Sequence, residues 1–158
     1  MLMTALGVSG VVGAWIMLVA GGLFGGGVLL VALERVNQWQ RMPVEQYAVD
    51  FRRSLYRLDP LLPILGSLAA AGAAAYAFAV DGRPAVLAAI GIGTVAVIIV
   101  GSVLIAEPIN SKFRRLPEGS VPADVNRIRL RWRRFHYIRT AAALLALGSF
   151  AAAAIGGG

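Results

Sequence analysis

Trp132, His136 and Arg139 stand four and three residues apart within RWRRFHYIRT, the stretch at 131–140 that holds the chain's one histidine. At about 100° per helical residue the three fall within about 60° of one another. Ile128 and Phe135 flank them, and Arg129 lies nearby. Arg127, Arg131 and Arg134 fall on the far side, where they suit water or lipid phosphates. The near face combines an imidazole that titrates close to neutrality, a permanent cation and a flat indole. Such a face turns inward, and an inward cation beside a bilayer needs a partner or a wet cavity. Two readings follow. One is a structural ion pair of Arg139 with Glu34, slightly preferred, or with Glu107. The other, favoured by Asn110 and Asn37 at the same depth, is a small-molecule site.

The elements that must hold these residues are apolar. Of 158 residues, 58% are hydrophobic, and the length suits one domain over 1–158. A run of about 20 apolar residues crosses a bilayer core, and four such runs lie at about 4–33, 61–80, 84–106 and 138–156. The expected fold is all-α: an integral membrane four-helix bundle, multi-pass in the inner (plasma) membrane.

Charge orients it. Five basic residues separate the first two runs (Arg35, Arg41, Arg52, Arg53, Arg57), and nine lie from Lys112 to Arg139, between the end of the third run and the first turn of the fourth. The loop between the second and third carries Arg83 alone. Lys and Arg stay in the cytoplasm, so both long loops are expected there as helical extensions, with both termini extracytoplasmic. The first run has no basic residues ahead of it and no small-residue cleavage site, which reads as a retained span. The formal charge of +7 is then an orientation signal and an attraction to anionic lipids at the cytoplasmic face, not a nucleic-acid footprint. With no cysteine, disulfides and thiolate chemistry are excluded.

Glycines in GGLFGGG (21–27) recur four apart, which lets another helix approach closely; whether in this chain, a homo-oligomer or a larger membrane complex stays open. PVEQYAVDFRRSLYRLDP (43–60) reads as an amphipathic helix with Tyr47, Phe51, Leu55 and Leu58 on one face, expected at the membrane interface. Glu107-Pro108 should disrupt helical hydrogen bonding at the end of the third run. The last helix should start near Ser120–Pro122 and be about 50 Å long, so its first turns stand outside the bilayer core.

The order of motifs carries a resemblance. EPIN (107–110) closes the third run, and about twenty residues later WRRFHYIRT (132–140) opens the fourth as W-x-x-x-H-x-x-R-T. Ahead of the second run come a tyrosine and LDPLLPILG (58–66). On these features the chain resembles, over nearly its whole length, the anthrone oxygenase-like family of small four-span membrane proteins. The resemblance implies oxygenation of a hydrophobic anthrone-like or phenolic polycycle from aromatic polyketide chemistry, without metal or flavin. On that view His136 is the base or proton shuttle, Arg139 stabilises the oxyanion, and Asn110 orients an oxygen. Trp132 walls the rings, with Trp39 and Tyr47 as further lining.

Other classes fit less well. One histidine with Glu34 and Glu107 makes a poor metal site. Haem held through His136 is the cofactor alternative to none. No phosphate loop is present, and the charges sit at span ends, unlike those of a transporter. The chief rival is a non-catalytic accessory or lipid-binding subunit. It would bury His136 among packed side chains and turn the glycine face of the first run to another chain.

Overall fold

The computed structural model describes residues 2–117 and 119–157; Met1, Glu118 and Gly158 lie outside it. Among the described residues every regular element is helical. Helix α1 (Leu2–Leu30) continues through a wider π turn (Val31–Val36) into α2 (Asn37–Arg41). Met42 then becomes extended, the conformation favoured before proline, and Pro43 starts a new direction. Helix α3 (Val44–Leu58) passes to α4 (Leu61–Ala77) through Asp59 and Pro60, both in right-handed helical conformation. Gly82, at φ 67°, makes the tight turn into α5 (Arg83–Gly101). A second π turn (Ser102–Ala106) leads into α6 (Glu107–Arg115), and α7 (Val125–Gly156) ends the chain.

Four continuous helical stretches of 35, 34, 33 and 32 residues are thereby long and apolar enough to cross a membrane. Each is about 50 Å long, against about 30 Å of hydrocarbon. Because α4 and α5 are joined by a short turn, their surplus length projects at the opposite end, where the arginines are. That basic end is a second layer of structure, not a set of loops.

In the spanning layer, α1 packs on α4, α4 on α5, α5 on α7 and α7 on α1, closing a ring. Small residues set the spacing. A Cβ on Gly13 would come 2.7 Å from the backbone nitrogen of Tyr76, and one on Gly72 would come 2.6 Å from that of Met17. Gly91 lies beneath the ring of Phe150, where a Cβ would be 2.2 Å away. Gly21 and Gly25 of GGLFGGG meet Phe150 and Leu147 of α7, whereas a Cβ on Gly22 or Gly26 would meet nothing within 4 Å. Half of the glycine pattern therefore packs this chain against itself. The hydroxyl of Tyr76 donates to the carbonyl of Ala153 at 2.7 Å and ties α4 to the last turns of α7.

One expectation is refined and one needs correction. Glu107-Pro108 does disturb the helical hydrogen bonding, but without ending the third helix. The π turn absorbs the irregularity, with the Glu107 N–H reaching the carbonyl of Ser102, and Pro108, which has no N–H to place, follows in the first turn of α6. Nor does the apolar face of α3 lie on lipid. Tyr47, Phe51 and Leu55 are buried against Trp39, Ile109, Phe113 and Trp132 in an aromatic core at the basic end. Phe51 meets Trp39, Phe113 and Trp132 edge-on at 5.2, 4.8 and 5.2 Å.

Polar contacts fasten this layer. Arg129 donates to the carbonyls of Trp39 and Met42. Asp50 accepts from the Trp39 indole and from Arg35. Arg52 donates to the carbonyl of Leu116. Asp124, just ahead of α7, pairs with Lys112 and Arg127, which hold its carboxyl down at about 2.

Candidate functional site

A cavity of about 360 Å³ opens where the two layers meet, between the α4 entrance and the α5–α6 stretch. Its volume falls within the usual range for small-molecule sites, about 300–1,000 Å³. Phe24, Leu62, Gly66, Ile98 and Ile99 form an apolar body, and Asp59, Glu107, Asn110, Arg114 and Arg139 a polar head. Local sequence explains the arrangement. Pro60 and Pro63 open the start of α4, the π turn shifts the α5 face, and Asp59, at the α3–α4 joint, points a carboxylate across at α6.

The head is a chain of hydrogen bonds. The Trp132 indole donates to Asn110 Oδ1 at 3.2 Å, and Asn110 Nδ2 donates to Asp59 Oδ2 at 2.9 Å. Arg114 Nη1 donates to the same Oδ2 at 2.9 Å, and its Nη2 is bound to Glu107. Both contacts to Asp59 fall on Oδ2; Oδ1 carries neither.

Arg139 lines the cavity from α7. Among the described residues no carboxylate oxygen lies within 4.0 Å of it. The expected ion pair is thus not formed: Glu34 is exposed, and Glu107 is held by Arg114. Arg139 Nη2 instead donates to Nδ1 of His136 at 2.8 Å, and the guanidinium lies over the Phe135 ring. Its Nε is buried without a partner, while other atoms of the side chain line the cavity.

His136 is fully buried, stacked on Trp132 with centroids 4.8 Å apart and 13° between planes. Its Nε2 lies 3.1 Å from the carbonyl of Val28. A carbonyl can only accept and a guanidinium can only donate, so Nε2 carries the hydrogen and Nδ1 the lone pair. Val28 sits just before the π turn, where the regular pairing that occupies helix carbonyls gives way.

With both nitrogens engaged, the imidazole has no lone pair facing the cavity. The expectation that His136 is the base meets this obstacle, and so does a haem ligated through it. Trp39 and Tyr47 also sit away from the cavity, packed in the aromatic core and buried to within 3%. The space touching Trp39, Trp132 and Arg139 together is about 20 Å³, enough for a water but not for rings. Asn37 pairs with the Tyr137 hydroxyl on the outside.

The angular reading of the last helix holds. Trp132, Phe135 and His136 are buried, and Arg127, Arg131 and Arg134 are exposed. Sequence reasoning missed Asp59 and Arg114. The available signal for Asp59 was a carboxylate directly before proline at the mouth of an apolar run.

The family profile described as anthrone oxygenase matches residues 52–149. That interval includes Asp59, Asn110, Arg114, Trp132, His136 and Arg139. No curated protein and no solved structure matches the chain.

Proposed function

Since the chain belongs to the anthrone oxygenase family, we propose that it oxidises a flat anthrone-like or phenolic polycycle with O₂ in the cavity at Arg139. The observation that carries this reading is the half-buried guanidinium, with no carboxylate paired to it, at the head of an apolar cavity. A charge so placed is costly unless something anionic arrives.

The ring CH₂ of an anthrone is acidic for carbon, because its anion is delocalised over three rings. Asp59 Oδ1 takes that proton, and Arg139 faces the negative charge that develops on the ring oxygen. Asn110 fixes Asp59 and keeps one amide hydrogen for a substrate oxygen. The anion passes one electron to O₂, the two radicals join at the ring carbon as a peroxide anion, and Asp59 returns its proton to give the hydroperoxide. Loss of the second ring proton with O–O cleavage then leaves a ketone and water. One oxygen atom goes to each product, and the carbanion itself is the reductant. No metal or flavin is required by this chemistry.

The test is anthrone oxidation in detergent, with spontaneous oxidation subtracted and a chelator present. Asp59→Asn should lose about 10²–10⁴-fold, the usual worth of a positioned base. Arg139→Gln should lose a comparable factor. Arg131→Ala and Arg134→Ala, exposed on the far face, should change only association with anionic lipid. Equal rates for wild type and Asp59→Asn refute the assignment.

A second reading is an accessory or lipid-binding subunit. The fully packed His136 and the open Gly22 and Gly26 favour it. On that reading the cavity holds a resident lipid, and none of these variants alters anthrone turnover above background.

A further inference from the structure

We propose that His136 is a positioning residue, a neutral strut that fixes Arg139 while leaving its charge uncancelled, so that the cavity selects the ionised form of a flat phenol. The inference rests on the cavity being the ligand site, as above, but not on any oxidation taking place there.

The usual way to fix an arginine is a carboxylate, which also neutralises it. Here the acceptor is the Nδ1 lone pair of an imidazole locked by its own Nε2 bond to Val28 and by its stack on Trp132. One orienting hydrogen bond is kept and the cancelling charge is left out. The other charged groups at the cavity head are Asp59, from the α3–α4 joint, and Glu107 and Arg114, from α6. Arg114 engages both carboxylates. The oxygens of Asp59 lie beyond 4.0 Å from the Arg139 guanidinium. The positive charge thus stands apart from the negative ones, with a buried Nε–H unfilled. A phenolate or enolate oxygen that meets the side chain where it lines the cavity gains an opposite charge in a low-dielectric site, whereas the neutral phenol gains only a hydrogen bond.

The ligand class follows: planar, apolar polycycles bearing an acidic hydroxyl or enolisable ketone, bound as the anion. In such a site His136 never has to titrate. Its value lies in being an acceptor without charge.

The experiment uses 2-hydroxyanthraquinone, a flat phenol whose visible absorption changes on ionisation, titrated spectroscopically with the detergent-solubilised full chain. Bound to the wild type, the dye should ionise at least one pH unit lower than in protein-free micelles, a tenfold preference for the anion. His136→Asn and His136→Asp have the same shape and differ in charge. Asn should keep most of the shift, whereas Asp should abolish it, as should Arg139→Gln. An unshifted dye in the wild type, or equal shifts for Asn and Asp, overturns the proposal. If the buried aspartate prevents assembly, His136→Asn read against Arg139→Gln decides: retention in the first and loss in the second supports it, and the same result in both overturns it. No turnover is needed. A full dye shift without anthrone oxidation refutes the oxygenase reading alone, and oxidation without a dye shift refutes this inference alone.

Discussion

The indole N–H of Trp132 donates to the side-chain oxygen of Asn110 across 3.2 Å, and this bond joins the aromatic core of the basic end to the head of the cavity. Asn110 in turn holds Asp59. A residue buried among Trp39, Phe51 and His136 therefore sets the orientation of a carboxylate that it does not touch.

Trp132→Phe should keep the ring contacts and remove only the donor. Asn110 Oδ1 is then left buried and unpaired, at a cost of about 1–3 kcal/mol. The expected result is a stable protein with anthrone turnover reduced about tenfold. Thermal unfolding and the oxidation assay, run on the same preparation, check both halves. A wild-type rate with wild-type stability would separate Asn110 from the chemistry.

Phe51 is fully buried at the centre of four edge-on or tilted aromatic contacts. Phe51→Ala should cost about 3–5 kcal/mol, as cavity-forming aromatic deletions do. Tyr56 is one turn along the same helix but 60% exposed, and Tyr56→Ala should be nearly neutral. Denaturant titration in mild detergent reads the difference. Similar losses would mean that the face of α3 covered in the structure is not covered in solution.

Orientation follows from charge. A reporter fused beyond the last residue should lie extracytoplasmically, and a tag placed after Pro117 in the α6–α7 connection should lie in the cytoplasm. Protease or thiol-label accessibility in intact cells distinguishes the two sides. Reversal of either would invert the bundle.

Asp124 is held near 2 by Lys112 and Arg127, below its usual 3.8. A carboxyl depressed in the folded state adds stability above its unfolded value and loses it as pH falls through the folded one. The α6–α7 connection should thus be insensitive to pH between 5 and 8 and loosen only below about 4. Asp124→Asn should remove that acid dependence and little else. Proteolysis near Pro117 as a function of pH is the readout, and an acid profile unchanged by the substitution would discount the cluster.

Much of the fold could be read from the chain directly. Four apolar runs and the placement of fifteen basic residues allow few alternatives, because a bilayer demands closed hydrogen bonding over a fixed thickness. Helical periodicity likewise separated Trp132, His136 and Arg139 from the exposed arginines, since a face depends only on angles within one element. Two conclusions about partners went the other way. Periodicity places α3 at the membrane interface, and charge at one end of the bundle pairs Arg139 with Glu34 or Glu107. Amphipathicity says that a face is covered but not by what, and the covering here comes from the neighbouring α2 and from α6 and α7, remote in sequence. The ionic partners were misjudged for the same reason. Arg114, seven residues after Glu107, reaches it along α6 and takes Asp59 as well, leaving Arg139 only the nitrogen of His136. Residue types and their faces are properties of the local chain. Which acceptor meets which donor, and where a cavity is left between layers, is decided when distant helices pack.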